Sequence, residues 1–306
     1  MSYSEKRRNK QMDAILAREN AGIRPKQRGS RAFRKFASNK IAVLGLILFL
    51  VISVHSFGAP LFTQYDPLAM DLRNMLKPPT AEHWFGTDSI GRDLFARVLY
   101  GGRVSIAIGF GSAIGATILG IGLGAYSGYK GGWIDSILCR ISELFSFFPQ
   151  TVLTLLLVTA VGQSTKNLVL VFVFTGWCSI YRMMRSQMLS LREEEYVQAL
   201  KVQGIDTFRI CYKHILPNAL GPIMVNVTIS TANFILQEAA LSFMGLGVPM
   251  ETPTWGNILN VANDLTILKT NWWVWLPVGC FISLFVLSIN FIGDGLRDSS
   301  DPSQQG

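Results

Sequence analysis

The chain has 306 residues, of which 49% are hydrophobic and 16% charged, with a formal net charge of +8. Soluble domains carry roughly 25% charged residues, so a water-borne globular enzyme does not fit and a bilayer is the expected solvent. The length suffices for about six spans of roughly 20 residues each.

The first 40 residues hold twelve Lys or Arg, from Lys6 to Lys40, against three acids, and run directly into an apolar stretch. By the positive-inside rule such an arm stays in the cytoplasm. Its charge also suits anionic lipid headgroups, at roughly 1 kcal/mol per basic residue near the surface. A basic tail in isolation can bind nucleic acid, but one tethered to a membrane helix is a poor candidate, so no nucleic-acid partner is expected. So long a polar lead also rules out a cleavable secretory signal, whose short basic region abuts its apolar core.

Membrane helices are expected near 41–59, 104–127, 141–161, 168–184, 220–246 and 273–292, each close to the length a bilayer core requires. Six spans return the C-terminal tail, 297–306, to the side of the N-terminus. On that orientation the inner segments hold 21 of the 28 Lys and Arg, with Arg182 counted in the loop that follows it. The segment 60–103 then lies outside. It carries Arg73, Lys77, Arg92, Arg97 and Arg103, offset by Asp66, Asp71, Glu82, Asp88 and Asp93. With Pro67, Pro78, Pro79 and Trp84 it is longer than an ordinary connection, and reads either as a cap on the helix ends or as a platform for a delivering protein.

The second span holds Gly111/Gly115 and Gly120/Gly124, two pairs spaced four apart. Small residues at that spacing let helix backbones approach closely, which predicts a packed helix contact and no chemistry. Between the fourth and fifth spans, Glu193, Glu194 and Glu195 precede a helical run that Gly204 breaks. Phe208, Ile210, Ile215 and Leu216 then resume apolar character before Pro217 and Asn218. That is a short helix, a turn and a second short helix. At a membrane surface it is an amphipathic interfacial segment, a docking element or a plain connector.

The fifth span begins at Pro217 and Pro222, which leaves open whether it starts outside the bilayer or is broken. Asn226, Ser230, Asn233 and Gln237 step by four, three and four residues, which places them along one helix face. Such a stripe faces either a neighbouring helix or a water-filled path, because lipid would leave its groups unpaired. Glu238 adds an ionisable group near the outer end and suits structural hydrogen bonding better than substrate contact.

No Gly-x-x-x-x-Gly-Lys-Ser/Thr loop is present, so the chain has no ATP cradle of that kind. His-Glu-x-x-His and Gly-x-Ser-x-Gly are absent too, and His55, His83 and His214 are far apart. Catalytic residues and metal sites are therefore expected to be none, and no cofactor is expected on this chain. Cys139, Cys178, Cys211 and Cys280 have no metal-site spacing and read as reduced, small apolar residues.

The segment from Glu195 to Pro217 resembles the cytoplasmic coupling loop of bacterial binding-protein-dependent ATP-binding-cassette (ABC) importers. That family's pattern is Glu-Ala-Ala, three residues, Gly, nine residues, Ile, one residue, Leu-Pro. Ala199, Gly204, Leu216 and Pro217 match it; Gln198, Leu200 and His214 depart from it, and the His-Ile-Leu-Pro-Asn of His214 to Asn218 is typical of the oligopeptide and dipeptide branch. Two further blocks are similar to that branch. One runs through Phe85-Gly86-Thr87-Asp88, Gly91-Arg92-Asp93, Arg97 and Gly101 to Ser105. The other comprises Glu238 to Gly247, Thr254-Trp255-Gly256-Asn257 and Asn290 to Asp298.

The resemblance implies an all-α polytopic membrane protein of the type I ABC importer permease fold. It would have about six transmembrane helices, both termini cytoplasmic, and a permease core over 104–296 with the coupling loop at 186–216. The chain would be the second membrane subunit of a peptide/nickel-type system in the bacterial cytoplasmic (inner) membrane. Its partners would be a homologous permease subunit, two ATP-binding subunits that hold the ATP and Mg, and an extracytoplasmic substrate-binding protein. The coupling residues would be Glu195, Val197, Gln198, Ala199, Leu200, Gly204, Ile205, Leu216 and Pro217. Candidates for the translocation path are Asn226, Ser230, Asn233 and Gln237. Peptide is the favoured cargo, with nickel chelates, glutathione or another small solute as alternatives within the class. An energy-independent channel is the alternative outside it.

Overall fold

The structure, a computed structural model, describes residues 34–300; the basic arm over 1–33 and the tail over 301–306 lie outside the described residues. Among the described residues helix is the dominant regular structure, apart from one isolated bridge between Thr87 and Asp93. The longer helices are α1 (Lys40–Phe57), α2 (Leu94–Lys130), α3 (Gly132–Phe147), α4 (Gln150–Val161) and α5 (Thr165–Leu191). After a short α6 (Glu195–Val202) come α7 (Leu220–Phe243), a short α8 (Trp255–Leu259) and α9 (Trp272–Ser300).

Helices α1, α2, α5 and α9 are each long and apolar enough to cross a membrane, and α3 with α4 would make a fifth crossing if that bent pair is one span. Helix α7 has 24 residues, about 36 Å at 1.5 Å per residue. It matches the bilayer in length, but its polar stripe dilutes its apolar character.

Several boundaries differ from expectation, two of them for a clear local reason. Helix α2 begins at Leu94 and not near 104, because the Asp93 side chain accepts the Ala96 backbone N–H at 2.7 Å and caps the first turn. The arginines that make this stretch look like loop are tied down. Arg97 is buried, donates to the Pro67 carbonyl at 3.2 Å and lies 3.8 Å from Asp88. Arg103 donates to the carbonyls of Ser56 at 2.8 Å and Phe57 at 2.6 Å.

The stretch 141–161 is not one helix. Pro149 lacks a backbone N–H and disfavours the helical conformation at the residue before it. Phe148 is accordingly extended, at φ −97° and ψ 138°, and α4 leaves α3 at 92°. Helix α5, by contrast, runs past 184 to Leu191.

Helices α2 and α5 form the central contact. A Cβ on Gly120 would stand 2.7 Å from the Ile180 Cβ, and one on Gly124 would stand 2.7 Å from the Tyr181 carbonyl oxygen. In lipid the gain comes from that close approach and not from expelling water. Helix α7 packs against α2 and α9, and α1 packs against α9. Asn39 at the start of α1 donates to Asp298 near the end of α9 at 3.3 Å, so those two ends lie together.

The segment between α1 and α2 is ordered by its own polar groups. Asp88 accepts from the backbone N–H of Ile90 and Arg92 and from Arg92 Nε at 2.7 Å, and His83 Nδ1 lies 2.8 Å from Asp93.

Candidate functional site

Two features dominate the end of the molecule where α5 leaves the apolar zone. The first is the segment between α5 and α7. Helix α6 is anchored by Val197, which is 0% exposed and packs among Met184, Met188, Ile210 and Ile215, with Leu200, Ile205 and Leu216 partly buried against the same cluster. On the other side Glu195, Gln198 and Ala199 are exposed, Val202 is 89% exposed and Phe208 is 65% exposed. An amphipathic helix normally hides such side chains, and here they stand outward on an anchored support.

Gly204 ends α6 with φ +73°, and a Cβ there would meet nothing within 4 Å. Glycine is favoured by that backbone conformation and not by crowding. Gln198, which departs from the family's Glu, turns its amide back to donate to the Arg192 carbonyl at 3.0 Å. Asp206 caps the next turn by accepting from Phe208 N at 3.0 Å.

The chain then widens into a π-helical turn over Ile210–Ile215 and a tighter one over Leu216–Ala219 before α7 starts. Pro217 is the cause at hand, since it cannot donate the bond that an α-helix would need there. Tyr212 reaches back to donate to the Gly122 carbonyl at 3.1 Å, and Lys201 Nζ sits 5.3 Å from the Tyr129 ring centre. The segment is thus joined to both α2 and α5. Burial within it pushes the Cys211 thiol up to about 11.

The second feature is a cavity of about 320 Å³ between the α3–α4 break, α5 and α7. Asn226, Ser230 and Asn233 of the expected stripe line it, and Ser230 donates to Asn226 Oδ1 at 3.2 Å. Gln237, the fourth member, does not line it; its Oε1 is buried and accepts no hydrogen bond. Phe234 bounds the cavity and stacks on Phe172 with ring centres 5.2 Å apart. The opposite wall holds Thr175 and Arg182 of α5, with Ser146 and Phe148 from the break in the third span. Arg182 was not among the expected path residues. An arginine inside the apolar run of α5 is the sequence signal that points to it.

At the far end of α7, Glu238 is 0% exposed and accepts hydrogen bonds from Ser105 Oγ and Ser242 Oγ, each at 2.8 Å. Ser105 Oγ in turn accepts from the Trp255 backbone N–H at 3.1 Å, while Trp255 Nε1 donates to the Val98 carbonyl at 3.0 Å. Thr254 and Asn257 cap α8 reciprocally. Residues from both further blocks therefore meet at one buried polar node around Glu238. Among the described residues no cluster of His, Cys, Asp or Glu could hold a metal ion, and all four cysteines are free.

Residues 120–305 match the family "Binding-protein-dependent transport system inner membrane component", and residues 28–79 match the "N-terminal TM domain of oligopeptide transport permease C". The dipeptide transport system permease protein DppC of Alkalihalophilus pseudofirmus is 41% identical over 274 residues, covering 90% of each chain. The oligopeptide transport system permease protein OppC of Bacillus subtilis is 38% identical, over 89% of this chain and 88% of that protein. The dipeptide transport system permease protein DppC of Bacillus subtilis is also 38% identical, over 89% of this chain and 84% of that protein. With both family matches and these similarities along nearly its whole length, the chain belongs to the binding-protein-dependent inner membrane permeases, the multi-pass helical components of ABC importers.

Proposed function

We propose that this chain is the second membrane subunit of an ATP-driven peptide importer. With a homologous subunit it forms the path for dipeptides or oligopeptides that an extracytoplasmic binding protein delivers, and two separate subunits hydrolyse the ATP with their bound Mg. The peptide cargo rests on the named substrates of the relatives. The N- and C-termini and α6 face the cytoplasm, an orientation supported by the basic arm before α1 and by the meeting of the α1 start with the α9 end. The segment 63–93 then faces the binding protein.

The observation that carries the reading is α6: an exposed face with Ala199 and Val202, Phe208 beyond Gly204, and a buried anchor at Val197. A channel without a motor needs no such element. When the ATP-binding subunits close on each other, the docked α6 is displaced between two positions. Val197 passes that displacement to the cluster of Met184 and Met188 on α5, and Tyr212 passes it to α2. Because α5 also walls the cavity, movement at α6 changes access to the path.

The test is a Gly204→Asp variant purified from its native membrane beside the wild type. Asp tolerates the left-handed backbone better than most residues, so the chain should insert, while the added charge disrupts docking. Wild type should bring down a homologous permease and the ATP-binding subunits, and the variant should lose the latter. An inserted variant that keeps them, with binding-protein-stimulated ATP hydrolysis unchanged, would sink the coupling assignment.

A further inference from the structure

The cavity between α5, α7 and the broken third span contains one charged residue among those lining it, Arg182. Among the described residues its guanidinium hydrogen-bonds only through Nη1, to the Ser142 carbonyl at 3.4 Å, Ser142 Oγ at 3.0 Å and Ser146 Oγ at 2.5 Å. These acceptors are neutral. Among the described residues no carboxylate lies within 4.0 Å of Arg182, in contrast to Arg185 one turn on, which is paired with Asp135 by two bonds of 2.6 Å. The Nε and Nη2 donors of Arg182 therefore have no acceptor from the described residues.

Arg182 is exposed near the end of α5 that leads into α6, so its free donors stand open to the cavity, and ionisable residues on spans mark substrate and ion paths. Two serines fix its position through one nitrogen, and the remaining donors form half of a guanidinium fork, the geometry that suits a carboxylate. The break at Phe148-Pro149 is what makes the site, since it turns Ser146 and Phe148 toward α5 as lining groups. Arg182 follows Thr175 on α5, which leads into the segment that carries α6, and Asn226 precedes Asn233 on α7, which leaves it, so Arg182 and Asn226 are the lining residues nearer that segment along the chain. Neutral amides and hydroxyls thus lead to a single positive charge.

Resting on the peptide-importer reading above, we infer that Arg182 is a carboxylate-binding station on the inner part of the translocation path and engages the C-terminal carboxylate of the passing peptide. Amide and hydroxyl groups of Asn226, Ser230, Asn233 and Thr175 meet the peptide backbone, which every peptide shares. The station therefore selects for a free C-terminus and is indifferent to side-chain sequence.

The experiment is import of one alanine peptide, as the free acid and as the C-terminal amide, into proteoliposomes holding the complete transporter with saturating binding protein. Each is compared between wild type and Arg182→Gln. The binding protein's own preference is the same in both transporters and cancels in the ratio. Loss of the charged contact should slow free-acid import by about tenfold or more and leave the amide within about twofold.

Equal slowing of both peptides, or no slowing of either in an inserted variant, overturns the inference and returns Arg182 to a wall, lipid or subunit contact. Arg182→Lys keeps the charge but not the fork and carries the same comparison where the Gln variant does not insert. It should slow the acid more than the amide, and a ratio equal to wild type again overturns the inference. A wild-type transporter that hydrolyses ATP yet imports neither peptide refutes the peptide reading itself, and that outcome is visible before any variant is made.

Discussion

Replacing single glycines of α2 by alanine tests the central helix contact with an internal control. An added Cβ at Gly124 would lie 2.7 Å from the Tyr181 carbonyl oxygen and 3.0 Å from the Met184 Cβ, and one at Gly120 would lie 2.7 Å from the Ile180 Cβ. The shortest of these is about 0.7 Å inside the 3.4 Å at which ordinary contact begins, and the obstacle is backbone or Cβ, which cannot swing aside. The helices must separate, and a radial gap of that size forfeits roughly a quarter to a half of each dispersion contact along the seam. Overpacking of this kind costs about 1–3 kcal/mol.

Gly122 lies on the same helix between these two positions, but a Cβ there meets nothing within 4 Å. Gly122→Ala should be neutral or stabilising by up to about 1 kcal/mol, because alanine is the better helix former. The hydrogen bond from Tyr212 to its carbonyl is a backbone feature and survives the change. Thermal unfolding of the purified chain in mild detergent reads the difference, with Gly120→Ala and Gly124→Ala melting lower by roughly 2 °C for each kcal/mol. Since α5 walls the cavity and leads into α6, the same two variants should transport poorly while Gly122→Ala transports normally. Equal destabilisation by Gly122→Ala and Gly124→Ala would refute the assigned face of α2.

In a background without native cysteines, Ser230→Cys and Asn233→Cys should react with a water-soluble maleimide in at least one nucleotide state, while Gln237→Cys stays protected. Protection of the first two in every state would return them to helix packing. Among the native thiols, Cys211 should be inert at neutral pH, because burial pushes it up to about 11 and leaves almost no thiolate. Its labelling rate should climb as pH approaches that value and jump at neutral pH once detergent unfolds the segment. Fast labelling of the folded protein at pH 7 would contradict its place under α6.

The sequence makes the apolar runs readable because each needs only local composition, and it makes the face of α7 readable because helical periodicity is local too. Eleven residues separate Asn226 from Gln237, about three turns, so the two do share a face. What periodicity cannot supply is depth: Phe234 bounds the cavity beside Asn233, and the ring stacked on it, Phe172, comes from another helix. Gln237 therefore keeps the predicted direction but stands outside the cavity.

The start of α2 is hidden by the same kind of distance. Arg97 and Arg103 look like loop residues until their acceptors, 30 and 47 residues away, are in place. Pro149 was locally readable, since a proline restricts its predecessor wherever it occurs, but an apolar run over 141–161 reads as one span when composition alone is weighed. Arg182, Glu238 and Pro149 each break the pattern of the helix they occupy. Each is compensated from elsewhere in the chain, by Ser142 and Ser146, by Ser105 and Ser242, and by the 92° turn to α4. Residues that violate a local rule and are repaired at a distance are where function is expected to concentrate. Of the three, Arg182 keeps donors without an acceptor from the described residues while facing a cavity, which separates a candidate binding group from the structural node at Glu238.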